Sequence, residues 1–251
     1  MKEMNDDRAT HLDLFSGIGG FAIAAERCGW KTVAFCEREK FAQRVLRKHW
    51  PSVPIIDDIH DLDGREYQVV SLLTGGFNCQ PYSFAGRKLG ALDHRAIWPE
   101  MLRVITEARP RFVVGENVAG IINMELDDVL SSLEAASYSV GAVIVPACAV
   151  DAKHRRDRVW IIGADTLANT IGGRRPGSGQ LIDASNQEAH REREADESLD
   201  GCIGQEWEAE PDVGRVAYGI PERSHRLRGL GNAIVPQVAE KILTALIESE
   251  R

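Results

Sequence analysis

Cys79 sits in Gly75-Gly76-Phe77-Asn78-Cys79-Gln80-Pro81-Tyr82-Ser83, just after an apolar run that ends at Leu73. A thiolate is a strong nucleophile, so a cysteine in a Gly-rich turn is a candidate for covalent chemistry. A lone cysteine is more often a core residue. Here the flanking Gly, Gln and Pro favour an exposed loop at the carboxyl end of a strand, where parallel sheets bind ligands. Glu116 follows a second apolar run, Phe112-Val113-Val114-Gly115. A single carboxylate there can simply face solvent. If enclosed, it has a raised pKa and can hold a proton. The basic run Lys153-His154-Arg155-Arg156-Asp157-Arg158 precedes a third apolar segment. On charge alone it is a solvated face, although guanidinium groups can also fork onto a carbonyl or a phosphate.

A second constellation lies upstream. Asp13-Leu14-Phe15-Ser16-Gly17-Ile18-Gly19-Gly20 follows a predicted strand and opens a predicted helix. Glycines let such a loop turn sharply and approach a ligand closely. The spacing departs from the GxGxxG dinucleotide fingerprint. Glu37 ends the next strand, where a carboxylate suits a ribose diol. Asp57-Asp58-Ile59 supplies acceptors for an exocyclic amine. In this order, the three segments describe an adenosine site and leave open which adenosine cofactor fills it.

These residues need a frame. Thr10–Phe15, Thr32–Cys36, Gln68–Leu73, Phe112–Gly115, Gly141–Val145 and Val159–Ile162 read as buried strands. Helical periodicity lies between them. Phe21–Cys28 is Ala-rich, Phe41, Val45 and Leu46 share a face, Ile97, Met101, Leu102 and Ile105 mark a third helix, and Leu126, Val129, Leu130 and Leu133 a fourth. Alternation of this kind predicts an α/β fold with a doubly wound, mostly parallel sheet. After Gly163 the pattern fades. Ile171–Gly179 is rich in Gly and Arg, and Gln187–Asp212 is acidic and poor in apolar residues, which predicts irregular structure. Order is expected to return near Val213, and Pro236–Glu248 reads as a final amphipathic helix.

The 251 residues suffice for one large domain and a small module, and the 43% hydrophobic and 27% charged content is that of a globular chain. No run approaches the roughly 20 apolar residues of a membrane span. The charged start, Met1–Thr10, lacks a signal core, and the five scattered cysteines form no CxxC pair. These features predict a reduced cytoplasmic setting, no membrane partner and no metal. The net charge of −8 argues against gripping nucleic acid by global electrostatics and leaves room for a local basic cleft, including Arg223–Arg228.

The motifs together resemble the DNA cytosine-C5 methyltransferases. DLFSGIGG at Asp13–Gly20 is similar to their first motif, and GGFNCQPYS at Gly75–Ser83 to their catalytic motif. Glu116-Asn117-Val118 matches their ENV motif, His154–Arg158 their QxRxR motif, and Gly231–Ala239 their last motif. The matches run in the family's order and cover most of the chain outside Ala164–Pro211.

The resemblance implies a Rossmann-like S-adenosyl-L-methionine-dependent catalytic domain over residues 1–163 and 229–251. A small target-recognition region is then expected over 164–228. It makes Cys79 the nucleophile that adds to carbon 6 of cytosine, Glu116 the acid beside N3, and Arg158 the contact to O2, with Arg156 holding a loop or a phosphate. The cofactor is expected on Asp13, Phe15, Ser16, Gly17, Gly19, Gly20, Glu37, Arg38, Asp58, Ile59, Asn232 and Ala233. Phe15 packs on it, Glu37 holds its ribose, Asp58 reads its adenine amine and Asn232 meets its amino-acid end. DNA contacts are expected from Asn78, Gln80, Ser83, Asn117, His154, Arg174 and Arg175, and from the region Arg215–Arg228. A stacked base is unreachable, so the target cytosine must flip out of the duplex.

The partners implied are double-stranded DNA and, in a bacterial or phage setting, a cognate restriction endonuclease, with the enzyme a monomer and S-adenosyl-L-homocysteine its product. An RNA cytosine methyltransferase and an inactive nucleic-acid-binding regulator are the rival readings. Three positions depart from the family pattern. Asn78 stands where Pro is usual, without that residue's fixed φ. His154 stands where Gln is common. Arg38 replaces an apolar or aromatic residue, and its stem or guanidinium can still cover an adenine.

Overall fold

The computed structural model describes residues 10–68, 70–77, 97–166 and 222–249. Asn78, Cys79, Gln80, Ser83, Arg174 and Arg175 lie outside them, as do the irregular region and the return of order near Val213. Seven strands form one sheet: β1 (Thr10–Leu14), β2 (Lys31–Cys36), β3 (Ile55–Ile56), β4 (Leu72–Gly76), β5 (Phe112–Val118), β6 (Tyr138–Pro146) and β7 (Asp157–Asp165). Their order is β3-β2-β1-β4-β5-β7-β6. Pairings from β3 through β5 are parallel, while β7 runs antiparallel to both β5 and β6. Chain direction across the sheet reverses between β1 and β4. That is the switch point whose carboxyl-end crevice binds ligands in doubly wound sheets.

The helices are α1 (Gly20–Arg27), α2 (Lys40–His49), α3 (Ile97–Ala108), α4 (Leu126–Ala135), α5 (Arg223–Asn232) and α6 (Pro236–Glu248). They cover both faces because the central strands are apolar on both sides. Leu73, Val113 and Ile161 join Met101, Ile105, Val129 and Leu133 in one core, and their neighbours Leu72, Val114 and Trp160 join Phe21, Ala24, Val238 and Leu243 in the other. Successive residues of a strand point to opposite faces, so an unbroken apolar run is what a sheet buried on both sides requires.

Local chemistry sets the element ends. Glu39 caps α2 by accepting from the N–H of Ala42 at 2.8 Å, and Arg47, Lys48 and His49 occupy the negative end of its dipole. Pro236 in the first turn starts α6, where its missing N–H costs nothing. The strand expected over Gln68–Leu73 instead spans Leu72–Gly76. Asp63 accepts from the N–H of Arg65 at 3.0 Å and caps a 3-10 turn over Gly64–Tyr67, and the Val70 N–H donates to the Tyr67 carbonyl at 3.0 Å, so the start of the run is turned rather than extended. Arg103 of α3 secures the adjoining turn by donating to the carbonyls of Ile59 and Leu62 at 2.8 and 3.0 Å.

Ser224–Glu248 has the length and apolar content of a membrane span. It is two helices broken at Ala233–Val235, and Val238, Ala239, Ile242 and Leu243 are buried against the sheet and α1.

Candidate active site

The Gly-rich loop leaves β1 at the switch point. Phe15 takes a left-handed φ of 52°, a conformation a bulky residue rarely adopts without a compensating role. The Ser16 hydroxyl donates back to the carbonyl of Asp13 at 2.7 Å and tightens the turn. Gly17 and Gly19 are also left-handed, and a β-carbon on Gly19 would lie 2.5 Å from the Trp50 ring. Gly20 opens α1 against Ile234, between the last two helices.

Glu37, just past β2, receives the N–H of Gly17 on Oε2 and that of Glu39 on Oε1, both at 2.7 Å. Burial pushes its carboxyl upward, and these N–H groups oppose the shift. Two fixed donors orient the carboxylate and leave lone pairs facing the cleft.

A cleft of about 300 Å³ opens here. Of the residues expected to hold the cofactor, Phe15, Ser16, Gly17, Gly20, Glu37, Arg38, Asn232 and Ala233 line it. Four others lie off its wall. Gly19 packs on Trp50. Asp13 is fully buried beneath the loop and accepts from the Thr74 hydroxyl at 2.7 Å. Burial pushes its carboxyl up to about 8, and Oδ2 has no partner. Asp58 caps a 3-10 turn, accepting from the N–H of His60 at 3.1 Å and lying 2.6 Å from the His60 ring, which holds its carboxyl low. Ile59 is core.

Glu116 lies at the inner end of the cleft and is only 7% exposed. It is the register partner of Gly76 on β4 and of Trp160 on β7. A β-carbon on Gly76 would lie 3.6 Å from Oε2, in ordinary contact with this carboxyl. Cys79 follows Gly76 by three residues, a reach of at most about 11 Å. Arg158 faces Val118 across the β5–β7 ladder and so lies diagonal to Glu116 on the same face. Its Nε is 2.8 Å from Glu116 Oε1. The guanidinium and the carboxyl are thus in direct contact. Burial raises the Glu116 carboxyl, and the charges of Arg158 and Arg156 oppose the rise.

Arg156 has a left-handed φ of 40° and donates through Nη2 to the carbonyls of Gly231 and Ala233 at 2.7 and 2.8 Å. Of its two expected tasks, holding a loop or a phosphate, these bonds serve the loop. Asn117 is buried. Its Oδ1 accepts from the N–H of Val118 at 2.8 Å, and its Nδ2 is unpartnered. His154 is exposed in the turn before β7.

The cleft also recruits residues to which no cofactor role was assigned. Gly76, Ile97, Glu39, His225, Arg228 and Ile234 all line it. His225 lies 3.2 Å from Glu39 Oε1 and stacks on Phe41 with centroids 6.1 Å apart. The basic run around Arg223–Arg228 was expected to face DNA. Helical spacing turns His225 and Arg228 to the side that carries Gly229 and Asn232. That spacing was the available signal.

A family model described as C-5 cytosine-specific DNA methylase matches residues 9–200. The type II methyltransferase M.PspPI of Psychrobacter sp. is 36% identical over 163 residues, covering 62% of this chain and 39% of the relative. M.HhaI of Haemophilus parahaemolyticus is 30% identical over 170 residues, covering 64% of this chain and 52% of that one. The matched part of the chain thus spans about half or less of the length of these relatives. Among solved structures, the S. pombe Dnmt2 methyltransferase shares the fold with a TM-score of 0.56 at 19% identity, covering 66% of this chain and 55% of the other. With the family model matched over most of its length, this chain belongs to the C-5 cytosine-specific DNA methylases.

Proposed function

We propose that the protein is a DNA cytosine-C5 methyltransferase that uses S-adenosyl-L-methionine and forms a covalent adduct through Cys79. One observation carries the reading. Glu116 is buried abreast of Gly76, three residues before the cysteine, with Arg158 beside it and the Gly-rich cleft open to the same carboxyl. The names of its relatives as type II methyltransferases support the same assignment.

The cleft fits the cofactor. Glu37 offers an oriented carboxylate for a ribose diol, and nothing lies within 4 Å of the space where a side chain on Gly17 would project. Phe15, Gly17, Glu37, Arg38 and Asn232 would hold it, and its sulfonium would supply the methyl group.

The chain's own residues do the rest. The Cys79 thiolate adds to carbon 6 of a flipped cytosine and makes carbon 5 nucleophilic. Glu116, whose carboxyl burial raises against the pull of Arg158 and Arg156, would donate to N3 and relieve the charge that addition places on the ring. Arg158 holds O2, and its pairing with Glu116 fixes both side chains before the base arrives. After methylation the carbon-5 proton leaves and Cys79 is eliminated.

In this reading residues 1–163 with α5 and α6 form the catalytic unit, a boundary earlier than the expected 229 because His225 and Arg228 line the cleft, and the stretch before α5 forms the recognition region. Duplex DNA is the substrate in a cytoplasmic bacterial setting, and a cognate endonuclease is the expected companion.

The test exposes the protein to a randomised duplex library and reads 5-methylcytosine at base resolution, with Cys79→Ala beside it. Cofactor-dependent marks in one short context, absent from the variant, support the reading. Marks on RNA and none on DNA would move the activity to the RNA class.

A further inference from the structure

The wall that α5 contributes to the cleft carries a charge that the proposed chemistry leaves unused. His225, Arg228 and Asn232 recur at helical spacing and share one face, and all three line the cleft. The carboxylates there are engaged: Glu116 faces Arg158, Glu39 faces His225, and Glu37 is held by two backbone N–H groups. The Arg228 side chain has no hydrogen bond or ion pair among the described residues.

Its helix is fixed in place. A β-carbon on Gly229 would lie 3.5 Å from Ile18 and 3.6 Å from Phe41, and Arg156 holds the carbonyls of Gly231 and Ala233 just beyond. Among the described residues the cleft thus offers two unengaged cations, Arg38 beside the ribose site of Glu37 and Arg228 one turn before Asn232.

We propose that Arg228 binds the α-carboxylate of S-adenosyl-L-methionine and selects ligands that carry an amino-acid end. The proposal rests on the cofactor reading above. The ribose site at Glu37 fixes where the adenosine lies, and Asn232 takes the ammonium beside the carboxylate. A zwitterionic ligand matches a wall of mixed charge. A DNA phosphate is the alternative anion, but Glu37 and Glu39 line the same cleft and repel a polyanionic backbone. A guanidinium suits a carboxylate because its planar fork donates two parallel hydrogen bonds.

The experiment compares two ligands by calorimetric titration of the full chain. S-adenosyl-L-homocysteine carries the amino-acid end, and 5′-deoxy-5′-methylthioadenosine keeps the adenosine and thioether without it. Arg228→Ala is expected to weaken the first roughly tenfold or more and leave the second unchanged, with Arg228→Lys recovering part of the loss. Equal weakening of both ligands would overturn the proposal in favour of a role in helix packing. No weakening of either, with a shallower salt dependence of DNA binding, would overturn it in favour of a phosphate contact. An unsubstituted protein that binds neither ligand would instead overturn the cofactor reading itself.

Discussion

A β-carbon on Gly20 would lie 2.6 Å from Cγ1 of Ile234. The two residues belong to the first and last matched motifs, and their contact closes the cleft from opposite ends of the chain. Gly20→Ala is therefore expected to overpack this contact and destabilise the fold by about 1–3 kcal/mol. Trimming the partner in Gly20→Ala/Ile234→Ala should return part of that loss. Denaturant melts of both variants and of Ile234→Ala form a double-mutant cycle that checks it, and strict additivity would show that the contact carries no coupling.

Glu116→Gln keeps the shape of the carboxyl and removes its proton donor. Methyl transfer is expected to fall by roughly 100-fold or more, while cofactor affinity stays within a fewfold of the parent. The pH profile gives a second check. Burial raises the Glu116 carboxyl, so its acid form is present below the raised pKa and is lost as pH rises through it. Thiol ionisation acts in the opposite direction. A bell-shaped profile is expected, and Glu116→Gln should abolish its falling limb. A falling limb that survives the substitution would assign that limb to another group.

Arg156→Ala removes both donors to the carbonyls of Gly231 and Ala233. Hydrogen bonds from a charged donor contribute about 1.5–3 kcal/mol, so cofactor binding should weaken at least tenfold as the Asn232–Ala233 wall loosens. The salt dependence of DNA binding should not change. A drop of about one in that slope would instead make Arg156 a phosphate contact.

Beneath the loop, hydroxyl and imidazole groups form a directed chain. Thr74 donates to Asp13, so His11 Nε2 donates to Thr74 at 2.8 Å, and Nδ1 accepts from Thr32 at 2.9 Å. Burial lowers His11 to about 3 and raises Asp13 to about 8. A histidine with a lowered pKa costs stability as pH falls below its unfolded value of 6.5. A buried carboxyl with a raised pKa costs stability as pH rises from its unfolded value of 3.8. The two slopes oppose one another at acid pH. Between pH 6.5 and about 8 Asp13 acts alone, and stability should decline. Asp13→Asn, which retains the acceptor for Thr74, should flatten that decline in melts taken at each pH. An unchanged slope would show that another group titrates there.

The alternation of apolar runs with helical periodicity determined the α/β class, because burial on both faces leaves no other pattern for parallel strands. The short motifs marked Glu37, Glu116 and Arg158 by their order along the chain, although each charge alone could have been a solvent-facing one. Tertiary structure decided what distance along the chain conceals. Gly76 sits abreast of Glu116 because β4 pairs with β5. Arg156 reaches the last motif through the carbonyls of Gly231 and Ala233. The sheet buries Asp13 beneath the loop, although its position in the motif suggested a cofactor contact. His225 and Arg228 read as a basic run until α5 folded back and turned one of its faces to the cleft. Local sequence sets which side chains a segment presents. Only packing against another segment decides which of them are enclosed, and enclosure is what changes their chemistry.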